Sequence, residues 1–242
     1  MIHDEHRQRR HRVRVEWGPV GVAVLAAECA AVVVVDVLSF STAVDVATRR
    51  GALVLPQATG DPGEAAREAA AVGAVAAGPR HGSGPSLRPS SLLGLAAGTR
   101  IGLASPNGGT LCALAAAAGA VLFAGCLRNA SAVAAAAEAV GGPVGVVPAG
   151  ERWPDGTLRP AVEDAIGAGA IVAALCGDRS PEAGLAEGQY HLARDRGLHE
   201  VLSGCASGRE LVSDGYGADV DLAAALEVST GAPRLRDGLF AA

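Results

Sequence analysis

Four consecutive valines, Val32–Val35, run into Asp36, and the hydroxyls of Ser39, Ser41 and Thr42 follow at once. A buried β-branched strand that stops at a carboxylate and turns into a helix presents that carboxylate at the carboxyl end of the strand, where open parallel sheets bind ligands. In that position Asp36 is a metal ligand, a base or a helix cap. The other expected strand ends carry polar clusters too: Arg80-His81 with Ser83, Ser105-Pro106-Asn107-Gly108-Gly109-Thr110, Cys126-Leu127-Arg128-Asn129, and Glu151-Arg152. The chemistry these residue types suit is anion handling with a metal. The glycines of 105–110 open a helix whose first amides are suited to a phosphate, with an ordinary N-cap as the plainer alternative. Arg128 and Arg152 could clamp a further anionic group, or only form surface ion pairs. Carboxylates suited to a hard cation are Asp36, Glu151, Asp155, Glu163 and Asp164. Glu163 and Asp164 point ~100° apart on a helix, so at most one of them faces a site squarely. His81 is a base candidate in a loop, against the plainer reading of a surface histidine.

Several chemistries are excluded. The chain has no lysine, so neither a Walker lysine nor a Schiff-base lysine exists, and all 20 basic residues are arginine. No GxSxG elbow or HExxH helix occurs. The aspartyl-nucleophile pattern of haloacid-dehalogenase phosphatases fails because Leu38 stands where the second aspartate belongs. A net charge of −5 with 3% aromatic residues argues against nucleic-acid and membrane surfaces. The five cysteines are scattered, without a CxxC pair, and read as small buried hydrophobes. Without an apolar leader or a run of ~20 apolar residues, the expectation is a cytoplasmic protein.

Positioning these residues requires a particular frame. Short apolar runs at 13–17, 31–35, 52–56, 72–78, 100–105, 120–125 and 143–150 alternate with helix-length segments at 41–50, 61–71, 109–118 and 129–140. That alternation predicts an α/β fold of three layers, a mainly parallel sheet with helices on both faces. The C-terminal third reads as helical, at 161–175, 182–190, 192–203, 206–213 and 218–227, and the tail as an edge strand or closing arm. Residues 1–12, rich in His and Arg, are expected to form a disordered arm before a single domain over 13–242. The polar stretch 77–91 is a functional-loop candidate. An Ala-rich α/β surface is compatible with a homodimer.

The ordered set VVVVDVLSFSTAV, LRPSSLLGLAAGTRIGLASPNGGTL, CLRNASAVA, PAGERWPDGTLRPAVEDAIGAGAI and GRELVSDGYGADVDLAA resembles the 2-phosphosulfolactate phosphatase family over nearly the whole chain. The resemblance implies an α/β, Mg²⁺-dependent phosphatase acting on a small anionic organic phosphate, in a step of coenzyme M biosynthesis. It carries over to Asp36, Ser41, Thr42, Ser105, Asn107, Gly108, Asn129, Gly150, Glu151, Glu163 and Asp164. Ser39 stands where the family often has arginine. The mechanism expected from residues and resemblance together puts Asp36, Glu151 and Glu163 in catalysis. Asp36, Glu163 and Asp164 hold the metal, and Ser41, Thr42, Ser105, Asn107, Gly108, Gly109, Arg128, Asn129 and Arg152 bind substrate. The rival readings are a non-catalytic module for an anionic metabolite, and a metal-dependent enzyme on another small organic acid.

Overall fold

The computed structural model describes residues 3–242. One sheet contains the strands Val13–Val15 (β1), Ala31–Val35 (β2), Leu53–Gln57 (β3), Val75–Ala76 (β4), Arg100–Ala104 (β5), Val121–Gly125 (β6), Val144–Pro148 (β7), Arg234–Arg236 (β10) and Leu239–Ala241 (β11), and Glu151–Arg152 (β8) pairs with Leu158–Arg159 (β9) in a separate hairpin. The order in the large sheet is β1-β7-β2-β6-β10-β11-β3-β5-β4. All pairings are parallel except those made by β10 and β11.

The helices are Gly18–Ala26 (α1), Phe40–Arg49 (α2), Pro62–Ala71 (α3), Gly108–Ala117 (α4), Ala130–Glu138 (α5), Val162–Ala174 (α6), Pro181–Arg196 (α7), Leu198–Gly204 (α8), Ala206–Ser213 (α9) and Gly217–Ala224 (α10). The valine run explains the layers. Val33 and Val35 point to a core shared with Val133, Ile166 and Ile171, while Val32 and Val34 point to another shared with Leu25, Val44 and Leu111. Alternate side chains of a strand face opposite sides, so a strand apolar throughout must be covered on both.

Every expected strand falls in the large sheet, although 72–78 is reduced to two paired residues. Three features differ from expectation. Helix α1 was not legible, because it is apolar all round and shows no 3.6-residue stripe; it lies between β7 and α4. The break expected near residue 191 falls at Gly197. The tail is not an edge strand: β10 and β11 form a hairpin inside the sheet, pairing with β6 and β3. Its anchor is Phe240, fully buried opposite Val54 and edge-on to the Phe40 ring at 6.5 Å.

The N-terminal segment is held by charge rather than by apolar contacts. Arg7 and Arg9 pair with Glu28, and Arg14 donates to the carbonyls of Arg7, Arg9 and His11. Gln8 is buried and donates to the Val15 carbonyl. The expected arm over 1–12 is therefore laid against the fold from His3 onward, while Met1 and Ile2 lie outside the described residues. No helix among the described residues is long and apolar enough to cross a membrane.

Candidate active site

Asp36 leaves β2 at its carboxyl end and is 7% exposed. Its Oδ1 accepts from the Phe40 amide at 3.2 Å. Its Oδ2 accepts from the Gly108 amide at 3.0 Å and the Ser105 hydroxyl at 3.2 Å. Four strands separate β2 from β5 in the sheet order, which in a flat sheet is a span of ~24 Å. The direct contact shows that the carboxyl ends of β2 and β5 converge, although the β10–β11 hairpin between them is joined to β6 and to β3 by one residue pair on each side.

This geometry changes the reading of Ser105-Pro106-Asn107-Gly108-Gly109. The first amide of α4, that of Gly108, receives the protein's own carboxylate. Gly109 serves packing: a Cβ there would sit 2.1 Å from the Gln57 carbonyl oxygen. Asn107 extends the site by donating to Glu151 Oε2 at 3.1 Å.

Asp164 acts as a strap. Its Oδ1 accepts from the Val37 amide and its Oδ2 from the Gly150 amide, both at 2.8 Å. One side chain on α6 thus joins the ends of β2 and β7. Gly150 must be glycine for this turn, with φ of 69° and Leu158 only 2.7 Å from where a Cβ would stand. With each oxygen held by an amide, as in Asp36, Asp164 ties the two strand ends together. Its neighbour Glu163 is 3% exposed, accepts no N–H bond among the described residues, and lies beside the Cys205 thiol. Burial, and then the charge of Glu163, push that thiol up to about 12. Nothing in the sequence placed Cys205 there.

Other expected binding residues are used internally. Ser41 accepts from the Asp36 amide and donates to the Val34 carbonyl, and Thr42 donates to the Val37 carbonyl. Arg128 donates to Asp45 at 2.8 Å and to the Leu222 carbonyl, while Asn129 accepts from the Cys126 amide. These four side chains brace the walls through bonds within the protein. Asp155 holds the hairpin turn by accepting from Thr157. His81 bonds to Tyr216 at 2.6 Å, and its loop docks on α10 through Ser90 and Asp219, not on the acids. Arg152 remains available: its bonds to Gly156 and Pro106 carbonyls are long, at 3.4 and 3.5 Å, and no carboxylate pairs with it among the described residues. Ser39, at the start of α2, has a buried hydroxyl with no partner.

A family model described as 2-phosphosulpholactate phosphatase matches residues 25–238. The chain belongs to the 2-phosphosulpholactate phosphatase family. It is accordingly a phosphoric monoester hydrolase by family. No curated protein matches it.

In this phosphatase the acids gather without a counter-charge. Among the described residues no arginine or histidine pairs with Asp36, Glu151, Glu163 or Asp164. Burial raises Asp36, and the Glu163 charge adds to it. Burial raises Glu151, helped by Asp36, and burial followed by the Asp36 and Glu163 charges raises Asp164 well above the usual carboxylate range. A hard cation suits such a donor set. No preassembled group of three metal-ligating side chains exists among the described residues. Mg²⁺ does not require one, because it keeps several waters and takes one or two carboxylates together with substrate phosphate oxygens. The residues present therefore fit Mg²⁺.

The shared position of Asp36 and α4 has a mutational consequence. A Cβ on Gly108 would lie 2.5 Å from Phe40 Cδ1 and 2.8 Å from Asp36 Oδ2. Gly108→Ala is expected to cost about 1–3 kcal/mol by overpacking and to lower kcat/KM by displacing Asp36. Thermal melts and steady-state kinetics check both effects, and a variant with wild-type values for both would contradict the geometry.

Proposed function

We propose that the protein is a Mg²⁺-dependent phosphomonoester hydrolase of the cytoplasm. Its substrate in this reading is a small anionic organic phosphate, 2-phosphosulfolactate or a related phosphorylated hydroxy acid. The observation that carries this reading is the unpaired acidic cluster of Asp36, Glu151 and Glu163 at the converged strand ends. Asp36 and Glu163 would hold the metal. Bound there, Mg²⁺ would neutralise phosphoryl oxygens and increase the acidity of a coordinated water. Asp36 is kept in place by the Phe40 and Gly108 amides and the Ser105 hydroxyl. Asp164 fixes the spacing of the loops that carry Asp36 and Glu151. Glu151 is the proton-transfer group: Asn107 orients its Oε2, and its raised pKa moves it toward the range where a carboxyl exchanges a proton near neutral pH. Arg152 would take the substrate's other anionic group.

The test is phosphate release from a panel of phosphorylated hydroxy acids with Mg²⁺ and then with EDTA. Release that stops on chelation supports the reading. Chelator-insensitive stabilisation by ligand without turnover would instead favour a binding module, and turnover without phosphate would favour another metal-assisted reaction.

The raised carboxyls also fix a pH dependence. A group that titrates higher folded than unfolded contributes stability that is complete below its unfolded pKa and is lost as pH rises through its folded pKa. Asp36, Glu151 and Asp164 are all of this kind. Glu28, held down to about 2 by Arg9 and Arg7, titrates below that window. The metal-free protein is therefore expected to melt at a lower temperature at about pH 7.5 than at about pH 5, and Mg²⁺ is expected to reduce the difference. Calorimetry in EDTA and in Mg²⁺ measures it; a melting temperature that rises with pH in EDTA contradicts it.

A further inference from the structure

Beside the acids lies a cavity of about 200 Å³ between α1, α4 and the β8–β9 hairpin. Asn107 and Glu151 form its inner wall, and Asn107 precedes the glycine whose amide holds Asp36. Val20, Leu111 and Leu158 form an aliphatic wall, and Arg152 lines the remaining side. Two side chains of this cavity are open to a ligand. Val20 is 71% exposed although it is a large aliphatic residue beside polar groups. Arg152 has no carboxylate partner among the described residues. Its volume is below that of a drug-sized pocket and suits a fragment of a few heavy atoms. A larger groove of about 220 Å³ among Val162, Ile166, Leu192 and Val201 is apolar and none of the acids lines it.

We propose that the cavity is the subsite for the organic part of the substrate, and that it selects a phosphorylated 2-hydroxy acid with one carboxylate, paired with Arg152, and a short aliphatic substituent, packed against Val20, Leu111 and Leu158. This rests on the phosphatase reading above. The selection follows from the inventory of charges. Arg152 is the one cation that lines the cavity, on the side away from the Asn107–Glu151 wall, and bidentate pairing of one carboxylate with it satisfies its fork geometry. A second anionic group on the substituent, such as a sulfonate, would be placed against the aliphatic wall without a cation, which is costly for a charge removed from water. An aliphatic substituent gains by the same wall, at a factor of about ten or more for each methylene that is well buried.

The experiment compares three esters with the full chain and Mg²⁺: the phosphate ester of 2-hydroxy-3-methylbutanoate, 2-phosphosulfolactate, and isobutyl phosphate, which has no carboxylate. The first is expected to exceed 2-phosphosulfolactate in kcat/KM by about tenfold or more. Arg152→Leu is expected to lower kcat/KM for the carboxylate-bearing ester by about tenfold to a hundredfold, and to change isobutyl phosphate by about twofold or less. Val20→Arg, at an exposed position, is expected to shift preference toward the sulfonate. A wild-type preference for 2-phosphosulfolactate, or equal losses on all three esters in Arg152→Leu, overturns the proposal while leaving the phosphatase reading intact. Calorimetric titration with the free acids separates the two ideas. If no ester is hydrolysed, the phosphatase reading fails, yet 2-hydroxy-3-methylbutanoate should still bind the wild type more tightly than sulfolactate and lose affinity in Arg152→Leu. Equal or absent binding of both acids overturns the subsite.

Discussion

Asp36→Asn is expected to lower kcat/KM for phosphate release by about a thousandfold, since a bound metal contributes several kcal/mol to the transition state and each ~1.4 kcal/mol is a factor of ten. The substitution removes the negative charge at the centre of the cluster with almost no change of volume. It also sets an NH₂ group against donors on one side or the other, because the Phe40 amide points at Oδ1 and the Gly108 amide and Ser105 hydroxyl point at Oδ2. A local readjustment is therefore expected, while the loss of a buried charge works in favour of the metal-free fold. The discriminating readout is the Mg²⁺-induced rise in melting temperature, which should largely vanish in Asp36→Asn with the circular dichroism spectrum preserved. Glu163→Gln should weaken that same rise. Full activity in both folded variants would falsify the metal-site assignment.

Arg128→Met is expected to have the largest effect on stability. Asp45 is fully buried on α2, and the Arg128 guanidinium at 2.8 Å is its ion-pair partner; the other Asp45 oxygen has no partner. Removing the arginine leaves a buried carboxylate uncompensated, at a cost of about 3–5 kcal/mol. For a chain of this length that corresponds to a fall in melting temperature of about 10 °C. The bond from Arg128 to the Leu222 carbonyl, which ties α10 to the sheet, is lost as well. The double variant Arg128→Met, Asp45→Leu is expected to recover most of the loss, because replacing a whole buried pair with apolar groups is often close to neutral. Below its melting temperature, Arg128→Met should keep kcat/KM within about tenfold of wild type, an outcome that a substrate clamp would not allow. Melts and kinetics on the same preparations decide between a pillar of the fold and a ligand contact.

The sequence by itself determined the fold class and the place of Asp36 at the end of a buried strand. Period-two burial on both faces of 31–35 required helices on both sides of a parallel sheet, and a strand ending in Asp36 placed a carboxylate at the ligand-binding edge. It also determined that lysine chemistry has no part here. Only the tertiary structure decided how the polar groups are spent. Ser41, Thr42, Asn129 and Arg128 look like binding residues in a linear reading, but backbone groups and Asp45 lie within their reach once the chain folds. The Ser105–Gly109 turn reads as an isolated helix start, and only the fold brings Asp36 to the Gly108 amide and the Ser105 hydroxyl. The reason is that Ser41, Thr42 and Asn129 sit in tight strand-to-helix turns, where buried backbone groups three to seven residues away must be satisfied and take these side chains, whereas the partner of Arg128 lies 83 residues away and is supplied by packing. The same holds for the tail, whose RLR and LFA segments carry no label that distinguishes an edge from the middle of a sheet. The burial of Phe240 against Phe40 put them in the middle.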